Sequence, residues 1–272
     1  MKEGCASTLA NVNKWFILLD YSLGEEEFDN AVFDNYQMII LDADSYPDFS
    51  GTNRENKKIL AYVSLGEAED YRAYWEKINQ KAWVFSLNED WEGNYPVDVR
   101  SGEWQDIILN EVIPEIVRKG FDGLFLDTID TAEWLEETFP EQFPGAKKSM
   151  ADLIIKIRKM YPDLVIVTNN GLTVINDDEV YSLIDGILVE DVNMMIDFEN
   201  GGYRKAPNEI KKEIIAFIKE MNKKRNLPVF NIDYTYINDV KSVKYCLRES
   251  KKLGYLPYIA QKELDQVYVT ET

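Results

Sequence analysis

Two kinds of segment alternate along the chain. Short, nearly unbroken apolar runs occupy residues 15–19, 38–41, 59–63, 82–87, 121–126, 164–167, 186–189, 229–232 and 256–260. They are rich in Ile, Val, Leu and Phe, the pattern of strands buried on both faces of a parallel sheet. Between them lie longer stretches with apolar residues every three or four positions, the period of a helix with one buried face. Ser101 caps one such stretch, which carries Ile107, Ile108, Val112, Ile116 and Val117 on one side and stops at Gly120 after Lys119. Pro114 lies inside it and is expected to kink it. Met150, Leu153, Ile154, Ile157 and Met160 mark a second helix, ending before Pro162. Pro207 opens a third with Ile210, Ile214, Phe217, Ile218 and Met221 inward. Asn238 is the expected cap of the last, with Val240, Val243 and Leu247 inward and Gly254 past its end. A further helix is expected over residues 68–80, with Glu67 and Glu69 favourably placed at its N-terminus.

Strand–helix alternation with short links builds parallel βαβ units. Nine strand candidates in 272 residues predict an α/β fold, a (β/α)₈ TIM barrel in one domain spanning residues 1–272, plus one inserted strand. Residues 82–87 are the expected insert, because little helix separates them from the preceding run. The rival, a doubly wound open sheet, normally carries a Gly-rich phosphate loop after its first strand. Here that strand runs into Asp20-Tyr21-Ser22-Leu23-Gly24, with neither GxGxxG nor GxxxxGK[ST].

Charge narrows the chemistry. There are 30 Lys+Arg against 49 Asp+Glu, a net charge of −19, and no His. The absence of His removes Ser-His-Asp and Cys-His catalysis, the HExxH zinc helix and any His-ligated metal. The acidic excess disfavours a nucleic-acid or anionic-membrane partner and favours a neutral or cationic ligand. An apolar fraction of 45% supplies a core, and no apolar run approaches the roughly 18 residues of a membrane span. Cys5 and Cys246 are too few for a disulfide scaffold. Residues 1–10 carry no signal-peptide pattern. The expected location is the cell surface or exterior if a signal has been removed, with Gly4-Cys5 then suiting a trimmed lipid-anchor site, and otherwise the cytoplasm.

In a barrel the chemistry belongs at the C-terminal strand ends. Those ends read Asp20-Tyr21, Asp42 and Asp44, Ser64 with Glu67 and Glu69, Asp127 and Asp130, Asn169-Asn170, Glu190-Asp191, and Asp233-Tyr234. Carboxylates gathered at one face repel, which raises the pKa of some of them. A protonated carboxyl beside an ionised one is what glycoside hydrolysis requires. Tyr21, Tyr62, Tyr71, Trp75, Trp91, Tyr95 and Trp134 lie in or near the same loops, and aromatic faces stack on sugars and on amine cations. Plainer readings exist for several of these positions. Asp127 can be a helix cap, Asn169-Asn170-Gly171 a turn, Asp42 and Asp44 structural, and Trp91, Trp104 and Trp134 packing residues. Glu190 resists such a reading, because Glu caps poorly. Two other functions suit the same acids: a non-catalytic sugar-binding barrel, and an oxygen-ligand cage for Mg²⁺ or Ca²⁺.

Five stretches together resemble glycoside hydrolase family 114, the endo-α-1,4-polygalactosaminidase-like barrels. They are residues 61–72 (AYVSLGEAEDYR), 91–95 (WEGNY), 120–130 (GFDGLFLDTID), Asn169-Asn170-Gly171 and Val189-Glu190. The resemblance implies that Asp127 and Glu190 form the catalytic pair and that an α-linked, galactosamine-containing polymer is hydrolysed without cofactor or metal. Relatives of this group have also been labelled cysteinyl-tRNA-synthetase-like, an activity that needs a His-containing motif absent here. In the expected mechanism Asp127 is the nucleophile of a retaining reaction and Glu190, beside apolar Val189 and Val192, is the acid/base; the reverse split stays open. Asp20, Glu67, Asp130 and Asp233 are expected to attract the ammonium of a deacetylated amino sugar. Tyr21, Tyr62, Ser64, Arg72, Trp91, Tyr95, Asn169 and Tyr234 complete the expected substrate contacts.

Overall fold

The computed structural model describes residues 8–21 and 28–268. Eight parallel strands form one sheet: β1 (Trp15–Leu18), β2 (Met38–Leu41), β3 (Lys58–Ser64), β4 (Gly123–Asp127), β5 (Val165–Asn169), β6 (Gly186–Glu190), β7 (Val229–Tyr234) and β8 (Leu256–Ala260). Each pairs with its neighbours in sequence order, and helices return the chain between most of them. This is the expected (β/α)₈ barrel. No ladder of paired residues joins β1 to β8; there the Trp15 indole donates to the Leu256 carbonyl (2.9 Å) and its ring meets Tyr258 and Phe230 at 5.2 and 5.6 Å.

The apolar runs become strands because both faces are covered. β1 and β2 are buried at every position, and β4 to β6 at nearly all. Asp122-Gly123 and Asp185-Gly186 open β4 and β6 in the same way. The Asp122 carboxylate accepts from the Ile59 N–H (2.7 Å) and that of Asp185 from Ile166 N–H (2.9 Å), finishing the neighbouring strand. Arg54 and Arg158 pair with these two carboxylates. Gly123 admits no side chain, since a Cβ there would stand 2.2 Å from the Val165 carbonyl oxygen.

The helices follow the 3.6-residue pattern in their buried positions, but Val117, Ile210 and Val240, expected on the inward faces, are exposed, and three elements need correction. The segment capped by Ser101 is helical over Gly102–Ile107 and Ile113–Arg118, but residues Ile108–Val112 between them form a π-helical turn. Pro114 offers no N–H to the carbonyl four residues back, and the wider turn just before it accommodates that loss. The last long helix is Val240–Lys252, capped by Asp239 rather than Asn238. The helix expected over 68–80 is only Trp75–Ile78. Glu67–Glu69 is instead a strand, paired antiparallel with Asn94–Pro96. The run 82–87 supplies one isolated bridge, Val84 to Val97, and no strand. The inserted sheet is therefore the Glu67–Glu69/Asn94–Pro96 pair, and a second pair, Met194–Ile196/Tyr203–Lys205, follows β6.

Candidate active site

A cleft of about 1430 Å³ opens at the C-terminal ends of the strands. Barrel register brings its centre together. Asp127 pairs with Ser64 across β3 and β4, and Leu126 with Thr168, which sets Asn169 beside Asp127. Asn169 in turn pairs with Leu188, so that Glu190 stands two residues further along β6. The Asn169 amide donates from one nitrogen to both acids, at 2.7 Å to Asp127 Oδ1 and 3.0 Å to Glu190 Oε1. Those two oxygens are therefore less than about 6 Å apart, a spacing within reach of a paired-carboxylate reaction.

The backbone turns sharply after each of these residues. Thr128, Asn170 and Asp191, which follow Asp127, Asn169 and Glu190, all have left-handed φ values, of 57°, 47° and 60°. Three adjacent non-glycine residues of this kind are uncommon, and such strain persists only where the surroundings hold it. Here the Thr128 hydroxyl meets Ser64 Oγ at 2.8 Å and accepts from the Gly66 N–H at 2.8 Å. Asn170 Oδ1 accepts from the Glu190 N–H. Gly66 has no room for a side chain, because its Cβ would lie 2.1 Å from the Thr128 carbonyl oxygen.

The two acids differ electrostatically. Burial raises the Glu190 carboxyl well above the usual range, and the charges of Asp191 and Asp127 push it further. Burial also raises Asp127, but hydrogen bonds from Asn169, the Thr128 N–H and the Tyr62 hydroxyl pull it back. Tyr234 donates its hydroxyl to Glu190. Lost solvation, then the fields of Asp127, Glu133 and Glu67, push Asp130 to about 7, although its side chain reaches the open cleft. Asp191 is pushed to about 7 by burial and by Asp233. Burial raises Glu67, which accepts from Asn88 Nδ2 (3.1 Å) and Thr131 Oγ1 (3.3 Å).

Asp20, Tyr62, Glu67, Arg72, Trp91, Asp127, Asp130, Asn169, Glu190 and Tyr234 line the cleft. Four other expected contacts do not. Tyr234 faces in, so Asp233, one step along the strand, faces the helix layer. It is fully buried, accepting from the Asn193 and Met194 N–H groups at 2.7 and 3.0 Å. Tyr95 likewise alternates with cleft-lining Asn94 and Pro96 and packs against Trp75 with tilted rings, centroids 4.4 Å apart. Ser64 Oγ is held by the Glu67 carbonyl and Thr128. Tyr21 turns its ring edge-on to Phe28 at 5.8 Å. Arg72 reaches the cleft wall, but four hydrogen bonds bind its guanidinium to Asp42, Asp44 and Glu69. Trp104 is a packing residue, fully buried with its indole N–H on the Leu65 carbonyl (2.8 Å).

Several cleft residues were not singled out by the sequence. Asn88 is held on Glu67, and Lys262 lies over the rings of Trp91 and Phe198 at 4.8 and 4.6 Å. Both sit on loops with no periodic signal, and only the fold brings them to the mouth. Among the described residues no three ligating side chains converge as a metal cage would require. No described helix is long and apolar enough to cross a membrane. Cys246 is a buried free thiol, and Cys5 lies outside the described residues.

Comparison with known proteins bears on the fold and the family. An uncharacterized protein of Methanocaldococcus jannaschii is 28% identical, covering 97% of this chain and 82% of its own length. One of Thermotoga maritima is 27% identical, covering 97% and 88%. The glycoside hydrolase domain of PelA from Pseudomonas aeruginosa matches in structure with a TM-score of 0.78 at 20% identity, over 93% of this chain and 97% of that one. Ega3 of Aspergillus fumigatus, solved in complex with galactosamine, matches with a TM-score of 0.70 at 17% identity, over 98% and 96%. These structural likenesses carry the barrel fold. The profile of glycoside-hydrolase family GH114 matches residues 6–272. A carboxylate pair at the mouth of a (β/α)₈ barrel and a family match along almost the whole sequence lead to one conclusion: the chain belongs to glycoside hydrolase family GH114 and is a glycosidase.

Proposed function

We propose that the protein cleaves an α-1,4-linked, galactosamine-containing polysaccharide with retention of configuration, using Asp127 as nucleophile and Glu190 as acid/base. The observation that carries this reading is the Asn169 amide reaching both carboxylates. Retention needs the carboxyl groups roughly 5–5.5 Å apart, whereas inversion needs about 6.5–9.5 Å to admit a water. Two oxygens tied to one nitrogen favour the shorter spacing. The role split rests on the environments: hydrogen bonds favour ionised Asp127, while burial and neighbouring acids keep a proton on Glu190. In the first step the Asp127 oxygen bonds to the anomeric carbon as that carbon's bond to the glycosidic oxygen breaks, and Glu190 gives its proton to the departing oxygen, which leaves as a hydroxyl of the released chain. In the second, Glu190 takes a proton from water, whose oxygen displaces Asp127.

Charge supports the substrate. Twelve carboxylate residues line the cleft against Arg72 and Lys262, and Arg72 is already paired. A cationic amino sugar suits that field, and an anionic one does not. The galactosamine bound to Ega3 is a further reason to test this polymer first.

The test is a reducing-end assay on deacetylated α-1,4-galactosamine polymer with the unsubstituted protein, Asp127→Asn and Glu190→Gln. Each substitution is expected to lower turnover at least about 10³-fold while leaving the circular dichroism spectrum intact. Two fully active variants would refute the pair. NMR of the first product formed is expected to show the α-anomer; the β-anomer would replace retention by inversion.

A further inference from the structure

The cleft continues past the two acids to an aromatic wall that the reaction does not use. Trp134 lies on the helix Ile129–Thr138, whose inward positions are Ile129, Thr131, Ala132 and Leu135. It is 52% exposed, so the core does not hold it. Phe139, just past the helix end, is 43% exposed and meets Trp134 edge-to-face at 5.9 Å. Phe143 backs Phe139 at 6.2 Å, and Phe85 backs Phe143 at 5.2 Å. All four rings line the same cleft as Asp127 and Glu190. Trp134 stands five residues beyond Ile129, roughly 7–8 Å of helical rise, outside the cluster of Asn169, Tyr62 and Tyr234 around the acids.

Large apolar side chains left open in a ligand cleft are expected to meet a ligand. Phe143, itself backed by Phe85, packs against Phe139 and limits its motion, which lowers the ordering cost of contact. Aromatic faces accept the flat C–H face of a pyranose, with polar groups at the rim; here Gln142 and Asp130 line the cleft nearby in sequence. We propose that Trp134 and Phe139 form a distal subsite, stacking on a sugar ring of the polymer other than the ring whose bond is cleaved. The subsite extends the grip on the chain beyond the bond that is cleaved. This assignment rests on the polysaccharide reading above.

The experiment measures binding without turnover. In the Glu190→Gln background, deacetylated galactosamine chains are titrated into protein carrying Trp134, Trp134→Ala or Trp134→Phe, with melting curves recorded for each. The alanine variant is expected to bind the chain at least about tenfold more weakly, and the phenylalanine variant within about twofold of the parent, with all three melting alike. An alanine variant that binds within twofold of the parent overturns the subsite and leaves the catalytic pair untouched. So does a phenylalanine variant that loses as much as alanine, because stacking tolerates that exchange. A Glu190→Gln parent that binds no such chain, with unsubstituted protein releasing no reducing ends from it, overturns the substrate reading, and this assignment falls with it.

Discussion

Asp191 follows Glu190 in left-handed backbone, and its Oδ1 is buried without a hydrogen-bond partner. Its charge is the second cause, after burial, that lifts Glu190. Because burial and Asp233 push Asp191 to about 7, its repulsion grows as pH rises through neutrality, when Glu190, in its proposed role as acid, must still hold a proton. Removing that charge lowers the Glu190 pKa. Asp191→Asn is therefore expected to move the alkaline limb of the kcat/KM profile to lower pH and to leave in place the acid limb, which the proposed mechanism assigns to Asp127. An unmoved alkaline limb would contradict the coupling. At this scale the sequence exposed which residues end strands, but not which way they face. Tyr234 and Asp233 are consecutive and both can hydrogen-bond, and the alternation along β7 alone sends one into the cleft and the other into the wall. The Asn169 fork was equally hidden, because it depends on the stagger among β4, β5 and β6.

The Glu67–Glu69 strand shows how an element escapes a one-dimensional reading. Residues 67–80 carry helical spacing and acids where a helix dipole favours them, yet pairing with Asn94–Pro96 wins. What fixes the strand is an ion cluster drawn from three places. Arg72 joins Asp42 after β2 at 2.6 Å and Glu69 at 2.8 Å, all with side chains under a tenth exposed; Asp44, more than half exposed, adds little. Removing the cation leaves two buried carboxylates unpaired. Arg72→Met is expected to lower stability by about 3–5 kcal/mol in denaturant titration, while Asp44→Asn changes it by under about 1 kcal/mol. Equal effects would show that the buried pairs are not the source of stability. The eight barrel strands were legible for the opposite reason. Burial on both faces gives an apolar run whatever the neighbours are.

Over the whole molecule, a charge of −19 is not spread evenly. Acids crowd the cleft, and most basic side chains lie elsewhere, so the field acts on an approaching ligand as well as on solubility. For a polycationic amino-sugar chain, kcat/KM is expected to fall several-fold between about 0.05 and 0.5 M salt as the Debye length shrinks from roughly 14 to 4 Å. The same chain fully N-acetylated, and so uncharged, is expected to show little salt dependence. Parallel responses from both polymers would mean that the field does not steer substrate. The seam between β1 and β8 has a consequence of another kind. Every other neighbouring pair of barrel strands is zipped by a ladder of amide bonds, whereas this one is stitched by the Trp15 indole and its ring neighbours and, just past the strand ends, by the Leu19 and Asp20 N–H groups on the Leu264 carbonyl. Partial opening is cheapest where fewest backbone bonds break together. Deuterium is therefore expected to enter the amides of Trp15–Leu18 and Leu256–Ala260 before those of Gly123–Asp127, and Trp15→Phe, which deletes the stitch, is expected to widen that gap, as if the staves of a cask were parting at their one unglued joint.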